Sequence, residues 1–279
     1  MNTKSLLNLN LINQNKTVIF FIMPSIHRVD IETLNLCFSL LNKYEQIYVL
    51  CSHFERSFYH LMINKSPSLV GFKTKIEIDI INPIKFAEIQ TKEAIIISFR
   101  DNFTLPENNK KAILCTLKPE SDILFNIEGK TPSALMMNYL KSLLLFMQVK
   151  EKQVLKDIEI TPEQITKGSS IVNNLNDKEY YVIVLNNFIS SMKISNFLRK
   201  HKLKKQLIII SHNKINVIDP KLFYFKEHTF LDFLAFQLQA VSIYGSSFEE
   251  YSKTCINLKI HLNLKPKFKD FKMILDEIT

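Results

Sequence analysis

A chain of 279 residues and 32.6 kDa has room for two ordinary domains, each able to bury a core of its own. Apolar residues at 46% and charged residues at 23% exclude a disordered chain. The formal charge of +9 favours polyanionic partners, among them phosphorylated sugars, anionic lipid surfaces and nucleic acid, without choosing between them.

The opening MNTKSLLNLNLINQNK breaks its apolar stretch with Asn and Gln, so neither a signal peptide nor export is expected. From Thr17, the runs TVIFFIM, QIYVLCS, KIEIDII, EAIIISF, KAILCTL and DILFNIE predict strands. Helices are predicted over Ile31 to Leu41, where Leu34, Cys37, Phe38 and Leu41 share a face, and over Phe54 to Ile63. Strand and helix in alternation imply a parallel sheet with crossover helices, hence a Rossmann-like first half. A helix from Pro132 to about Val149 closes it. Its apolar run from Tyr139 is interrupted by Lys141 and has about half the roughly 20 residues needed to span a bilayer. The polar stretch KEKQVLKDIEITPEQ reads as a linker.

The same grammar returns in YYVIVLNN, a helix around Lys193 to His201, QLIIISH, a strand near Leu222 to Phe225, a helix Phe230 to Gln239, AVSIYG and a helix Ser247 to Ile256. An amphipathic segment, Phe268 to Ile278, predicts a closing helix that packs back on one of the domains. The expected organisation is an α/β chain with a Rossmann-like domain over 1–150, a second over 151–266 and a terminal helix over 267–279. Four cysteines, Cys37, Cys51, Cys115 and Cys255, lie singly in apolar runs and read as reduced core thiols; no metal site is expected. With four glycines there is neither GxGxxG nor a P-loop, which argues against a nicotinamide enzyme or a P-loop kinase.

In open α/β sheets ligands bind beyond the carboxyl ends of the strands, so the chemistry is sought in the loops there. After the first strand, PSIHRVD groups His27, Arg28 and Asp30 at a helix start, where Asp30 suits an N-cap or a general base. GKTPSAL places Gly129, Lys130 and Thr131 before a helix whose first turn holds Pro132, either a capped end or an anion site. VLNNFISSMK supplies Asn187 and Lys193. IYGSSFEEY offers Gly245, Ser246 and Ser247 to a diphosphate and Glu250 to a sugar hydroxyl, while Ser-x-x-Glu is also a capping box. His228 in FKEHTF reads as structural or surface-exposed.

Taken in order and spacing, these segments resemble the heptosyltransferase family of GT-B glycosyltransferases, which join ADP-activated heptoses to lipopolysaccharide core acceptors. Asp30 matches the family's Asp, with Val29 where the family has Gly. NIEGKTPSAL approximates its Asp-x-x-Gly-x-x-Lys-Ser stretch, and Lys193 stands at its donor-side Lys. On its Asp-Ser/Thr-Gly-x-x-His stretch, Ser246 stands for Asp, Ser247 for Ser/Thr, Phe248 for Gly and Tyr251 for His. Paired serines at a similar helix start also resemble those of some sialyltransferases of surface glycans.

The resemblance implies two Rossmann-like domains facing each other across a cleft. It implies a metal-independent transferase without cofactor, moving sugar from a nucleotide-sugar donor to a glycan or glycolipid acceptor of the lipopolysaccharide or surface-glycan kind. Asp30 would be the base with His27 beside it. Asn187, Lys193, Gly245, Ser246, Ser247 and Glu250 would hold the donor, and Arg28, Lys130 and Thr131 would lie on the acceptor side. The expected location is cytoplasmic, with basic residues at RKHKLKK and KPKFKDFK able to touch an anionic inner membrane. The competing reading is a non-catalytic module that binds a protein or nucleic acid through its basic surface. The basic stretches carry few interleaved aromatics, which weighs against nucleic acid.

Overall fold

The computed structural model describes residues 18–41, 47–65, 79–80, 94–100, 112–117, 121–151, 155, 158–175, 179–185, 187–245, 247–260 and 269–279. The chain divides into two compact units, residues 1–158 with 257–259, and residues 159–256 with 260–279. Each is an α/β unit built on a wholly parallel sheet.

The first unit runs β1 (Val18–Ile22), a 3-10 turn (Ile26–Arg28), α1 (Ile31–Leu41), β2 (Ile47–Cys51), α2 (His53–Lys65), β3 (Asp79–Ile80), β4 (Ala94–Ser98), β5 (Ala112–Cys115) and α3 (Pro132–Phe146). Its strands lie in the order β3-β2-β1-β4-β5. The central strand has nothing but hydrophobic side chains, VIFFI, and from Ile19 onward all are buried. A parallel sheet covered on both faces requires such an uninterrupted run. Asn35, buried on α1, donates its Nδ2 to Leu155 O and accepts from Leu155 N, each at 2.7 Å. Lys141 of α3 donates to Glu32 of α1 at 2.7 Å, and that bond holds its ammonium above the usual lysine range.

DILFNIE is not a strand. Asp122 N donates to Leu114 O at 2.8 Å, but the matching amide, Leu114 N, is taken by the Asp122 Oδ2 carboxylate oxygen at 2.9 Å. A side chain thus occupies the place a ladder carbonyl would fill, and pairing along β5 goes no further. Ser121 and Tyr139 Oη then both donate to Ile123 O, at 2.7 Å each, and fasten this edge to α3. Of KIEIDII, only Asp79 and Ile80 are described as strand, and the rest lies outside the described residues.

The second unit contains α4 (Pro162–Gly168), a 3-10 turn (Val172–Asn174), β6 (Tyr180–Leu185), α5 (Phe188–Lys200), β7 (Gln206–Ser211), β8 (Leu222–Phe225), α6 (Phe230–Gln239), β9 (Ser242–Tyr244), α7 (Ser247–Asn257) and α8 (Phe271–Ile278). Its sheet order is β8-β7-β6-β9. All twelve residues of β6 and β7 are buried, so both faces are covered. One face takes Ile194 and Leu198 of α5 together with Ile274, Leu275 and Ile278 of α8. The closing helix is therefore part of the second unit's core, pinned where Lys204 N donates to Ile278 O at 2.8 Å.

The segment ITPEQ, expected as linker, starts α4 instead: Thr161 accepts from Gln164 N at 3.2 Å, Gln164 Oε1 accepts from Thr161 N at 3.1 Å, and Pro162 opens the helix. That is a capping box with Pro at the first helical position. On the opposite side, Asp232 of α6 is fully buried and accepts from Ser169 Oγ (2.6 Å), Ile171 N (3.0 Å), Thr229 N and Thr229 Oγ1 (2.8 Å each). Five donors including Ser170 Oγ at 3.3 Å satisfy this carboxylate, which locks the end of α4 to the start of α6.

Candidate functional site

Strand order fixes where each unit offers a crevice. In the first unit the chain winds from β1 to β2 and β3, then returns to the other side of β1 as β4. In the second it winds from β6 to β7 and β8, then returns to the other side of β6 as β9. Such a reversal opens a gap at the carboxyl ends of the two strands, because their outgoing connections leave in opposite directions. The two gaps lie between β1 and β4 and between β6 and β9.

At the β1/β4 gap stands the loop 23–30, carrying His27, Arg28 and Asp30. Asp30 caps α1, its Oδ1 accepting from Thr33 N at 2.8 Å, and remains half-buried. His27 lies over the ring of Phe54, centroids 5.7 Å apart and planes at 24°, while Arg28 is exposed. The loop is held by residues that lie outside the sequence motifs. Glu55, buried on the first turn of α2, accepts from Ile26 N at 2.9 Å, Ser52 N at 3.2 Å and Ser52 Oγ at 2.6 Å. Arg100, just past β4, forms an ion pair with the same carboxylate and donates Nε to Met23 O at 2.8 Å. Tyr59 Oη adds a bond to Pro24 O at 2.8 Å, and burial drives its hydroxyl well above the ordinary tyrosine range. Arg100 thereby spans the gap itself, joining the ends of β1 and β4. In the sequence, its place directly after the strand run EAIIISF is the signal that points to it.

At the β6/β9 gap two helices begin. Asn187 caps α5 by accepting from Ser190 N at 2.8 Å, and Lys193 is exposed one and a half turns in. Gly245 directly follows β9 and Ser247 is the first residue of α7; Ser246 lies outside the described residues, and Glu250 is exposed on α7. Both helices thus start directly after the carboxyl ends of two neighbouring parallel strands, and helix starts are suited to anionic oxygens through their backbone N–H groups and dipoles. Tyr251 faces inward, its ring edge-on to Phe233 at 4.8 Å and to His228 at 6.0 Å. His228 is thus a packing residue at this helix pair, as its isolated position implied.

Lys130 and Thr131 sit elsewhere in the first unit, at the start of α3 beyond the edge strand β5. Thr131 caps that helix through Ala134 N at 3.2 Å, and Lys130 is exposed. A Cβ at Gly129 would lie 2.7 Å from Leu135 N, so glycine is what lets the chain turn this tightly onto α3. The sequence grouping of these residues with His27, Arg28 and Asp30 rests on no contact among the described residues.

None of the four cysteines forms a disulfide; Cys37, Cys51 and Cys115 are buried, and burial raises the Cys37 and Cys115 thiols far up and the half-buried Cys255 to about 12. Among the described residues no group of three or more His, Cys, Asp or Glu could hold a metal ion, and no helix is long and apolar enough to cross a membrane.

The class these features define is an α/β protein of two parallel-sheet units, each with a crevice at its strand reversal. Among solved structures, the chain is similar to the E. coli heptosyltransferase WaaC with ADP, at 5% identity and a TM-score of 0.42, over 85% of this chain and 84% of that one. No family model and no curated protein matches the sequence.

Proposed function

We propose that the chain is a glycosyltransferase of the two-domain GT-B kind, moving a sugar from a nucleotide-sugar donor held by the second unit to a surface-glycan or glycolipid acceptor entering beside the first. The observation that supports this reading is the pair of helix starts, α5 and α7, opening side by side at the β6/β9 reversal. A leaving nucleoside diphosphate gains negative charge as the glycosidic bond breaks. Backbone N–H groups of α5 and α7, the hydroxyls of Ser246 and Ser247, and Lys193 would stabilise that charge with groups fixed before the reaction begins. Lys193 would reach toward the helix start because helical side chains lean toward the N-terminus. Gly245 would let the backbone approach the phosphates, Glu250 would accept from a sugar hydroxyl, and Asn187 would hold the first turn of α5 in place.

At the other gap, Asp30 would take the proton of the acceptor hydroxyl on the oxygen not engaged with Thr33. His27 and Arg28 would line the approach, while Lys130 and Thr131 would meet charged groups farther along the acceptor. Membrane-bound acceptors fit a chain of formal charge +9.

Two measurements test the reading. A panel of ADP-, UDP-, GDP- and CMP-sugars is expected to contain at least one donor that raises the melting temperature, with the rise lost in Lys193→Ala and Ser247→Ala. Asp30→Asn keeps the α1 cap, since Asn caps as well as Asp, yet removes the base. Turnover should fall about 10²- to 10⁴-fold with donor binding intact. Absence of stabilisation by every donor, or full turnover in Asp30→Asn, would overturn it.

A further inference from the structure

We propose that β8 is a self-association edge, pairing antiparallel with β8 of a second copy of this chain across a two-fold axis. The outer strands of the two sheets differ in how they are closed. Beyond β5, the Asp122 side chain takes Leu114 N and the Asp122 amide takes Leu114 O. At β9, the segment leading into α8 lies against the strand, with Lys269 N donating to Ile243 O at 3.1 Å. Strand β3 is described over two residues. β8 pairs with β7 on one side, and among the described residues no strand pairs with its other side. Its sequence, LFYF, is aromatic and uncharged, and all four residues are half-buried. An open edge of this composition is a template for another strand.

The register of the pairing follows from β7. Leu207 N donates to Lys221 O at 2.9 Å, so in the Leu207↔Leu222 ladder the backbone groups of Lys221, Phe223 and Phe225 turn to β7 and those of Leu222 and Tyr224 turn outward. Leu222 N is already spent on Asp219 O at 2.9 Å. The outward row is therefore Leu222 O, Tyr224 N, Tyr224 O and, one step on, Lys226 N. An antiparallel pair centred on Tyr224 fits this row to itself: the two Tyr224 residues exchange both N–H···O bonds, and each Lys226 N donates to Leu222 O of the other copy. The same register sets Phe223 beside Phe225 of the other copy, twice, as aromatic cross-strand pairs. It also sets exposed Lys221 opposite exposed Glu227, so opposite charges meet. Moving the centre by half a residue would face outward groups with inward ones and set Lys221 against Lys226, so one register is selected. The two-fold axis closes the contact on itself, which yields a dimer and not a fibre.

The inference goes beyond the catalytic reading and does not require it; nucleotide-induced stabilisation is a separate measurement, so either can fail alone. The full chain is sedimented at rising concentration up to about 200 µM, in about 0.3 M salt to screen the repulsion between two copies of formal charge +9. The sedimenting mass is expected to climb from 32.6 kDa toward twice that value. Amide exchange of Tyr224 and Lys226 should slow with concentration, while that of Phe223 and Phe225, already turned to β7, should not change. Phe225→Lys, which brings a charge into each Phe pair, should weaken the dimer at least about tenfold. Because Phe225 is half-buried, a mixed-cysteine experiment reads the register without relying on that variant. Phe223→Cys mixed with Phe225→Cys should cross-link under mild oxidation, since non-hydrogen-bonded partners have Cα atoms about 4.5 Å apart, within disulfide reach. Either variant alone should not, because like positions are then diagonal neighbours roughly 7–8 Å apart. A chain that stays at 32.6 kDa throughout overturns the proposal and leaves the edge to a strand from another protein. A dimer that Phe225→Lys leaves untouched, one in which Tyr224 and Lys226 exchange as in the monomer, or cross-linking no stronger in the mixture than in each variant alone overturns it as well.

Discussion

Replacing Glu55 is the sharpest perturbation of the first unit. Its carboxylate is 3% exposed, carries the Arg100 guanidinium and accepts from Ile26 N, Ser52 N and Ser52 Oγ. Glu55→Met preserves apolar volume but leaves Arg100, 15% exposed, without its counter-charge in the crevice. Removing one member of a buried pair costs about 3–5 kcal/mol. For a unit of this size each kcal/mol is worth roughly 2–4 °C, so the melting temperature of the first unit should drop by roughly 6–20 °C. Calorimetry combined with hydrogen exchange locates the loss: amides of β1, β2 and β4 should lose protection while those of β6 and β7 keep it. Arg100→Met in the same chain should recover part of the loss, with a coupling of at least about 1 kcal/mol. A Glu55→Met variant that melts within about 2 °C of the parent, or costs that simply add, would refute the pairing as the clamp on the 23–30 loop.

Asp232→Ala should cost the second unit about 3–5 kcal/mol, because Ile171 N, Thr229 N and Ser169 Oγ lose their acceptor in the interior; denaturant titration of the variant checks this. Alkaline stability should fall from about pH 9. The folded-state thiol of Cys255 ionises only near 12 and those of Cys37 and Cys115 higher still, whereas an unfolded chain releases these protons near the ordinary value of 9.0. Above that pH the folded state binds more protons than the unfolded one, so each thiol removes up to about 1.4 kcal/mol per pH unit until its folded value is reached. Urea midpoints at pH 8 and pH 10 measure the effect; equal midpoints would contradict it. Thiol labelling of the native protein at pH 8 should be slow, and immediate reaction of Cys37 or Cys115 would mean that their burial is wrong.

Much of the scaffold was legible because its strands are continuous apolar runs and its helices keep a three- and four-residue apolar spacing. Ile31–Leu41, Leu222–Phe225 and Phe230–Gln239 fall where their periodicity puts them. Three departures have physical causes. DILFNIE has strand composition, but Asp122 uses its side chain where the backbone would pair. ITPEQ looked like linker because it is polar, although T-P-x-Q is a helix start. Helix α5 begins five residues before its expected start, since Phe188, Ile189 and Met192 break the amphipathic pattern by facing solvent. The strand ends and helix starts that frame the candidate site, after β1, β6 and β9, were legible in the sequence. Glu55, Arg100 and Asp232 were not, because a buried charge announces itself through its partners, and those lie 45 residues away for Glu55 and Arg100 and 63 for Asp232 and Ser169.

The most direct examination of the central claim is hydrogen exchange on the full chain with and without the nucleoside diphosphates of the donor panel. Slower exchange confined, within the second unit, to the starts of α5 and α7 is the expected result. Unchanged exchange there with every nucleotide, or protection that falls only on the basic stretch 199–205, would contradict a donor site at the β6/β9 reversal.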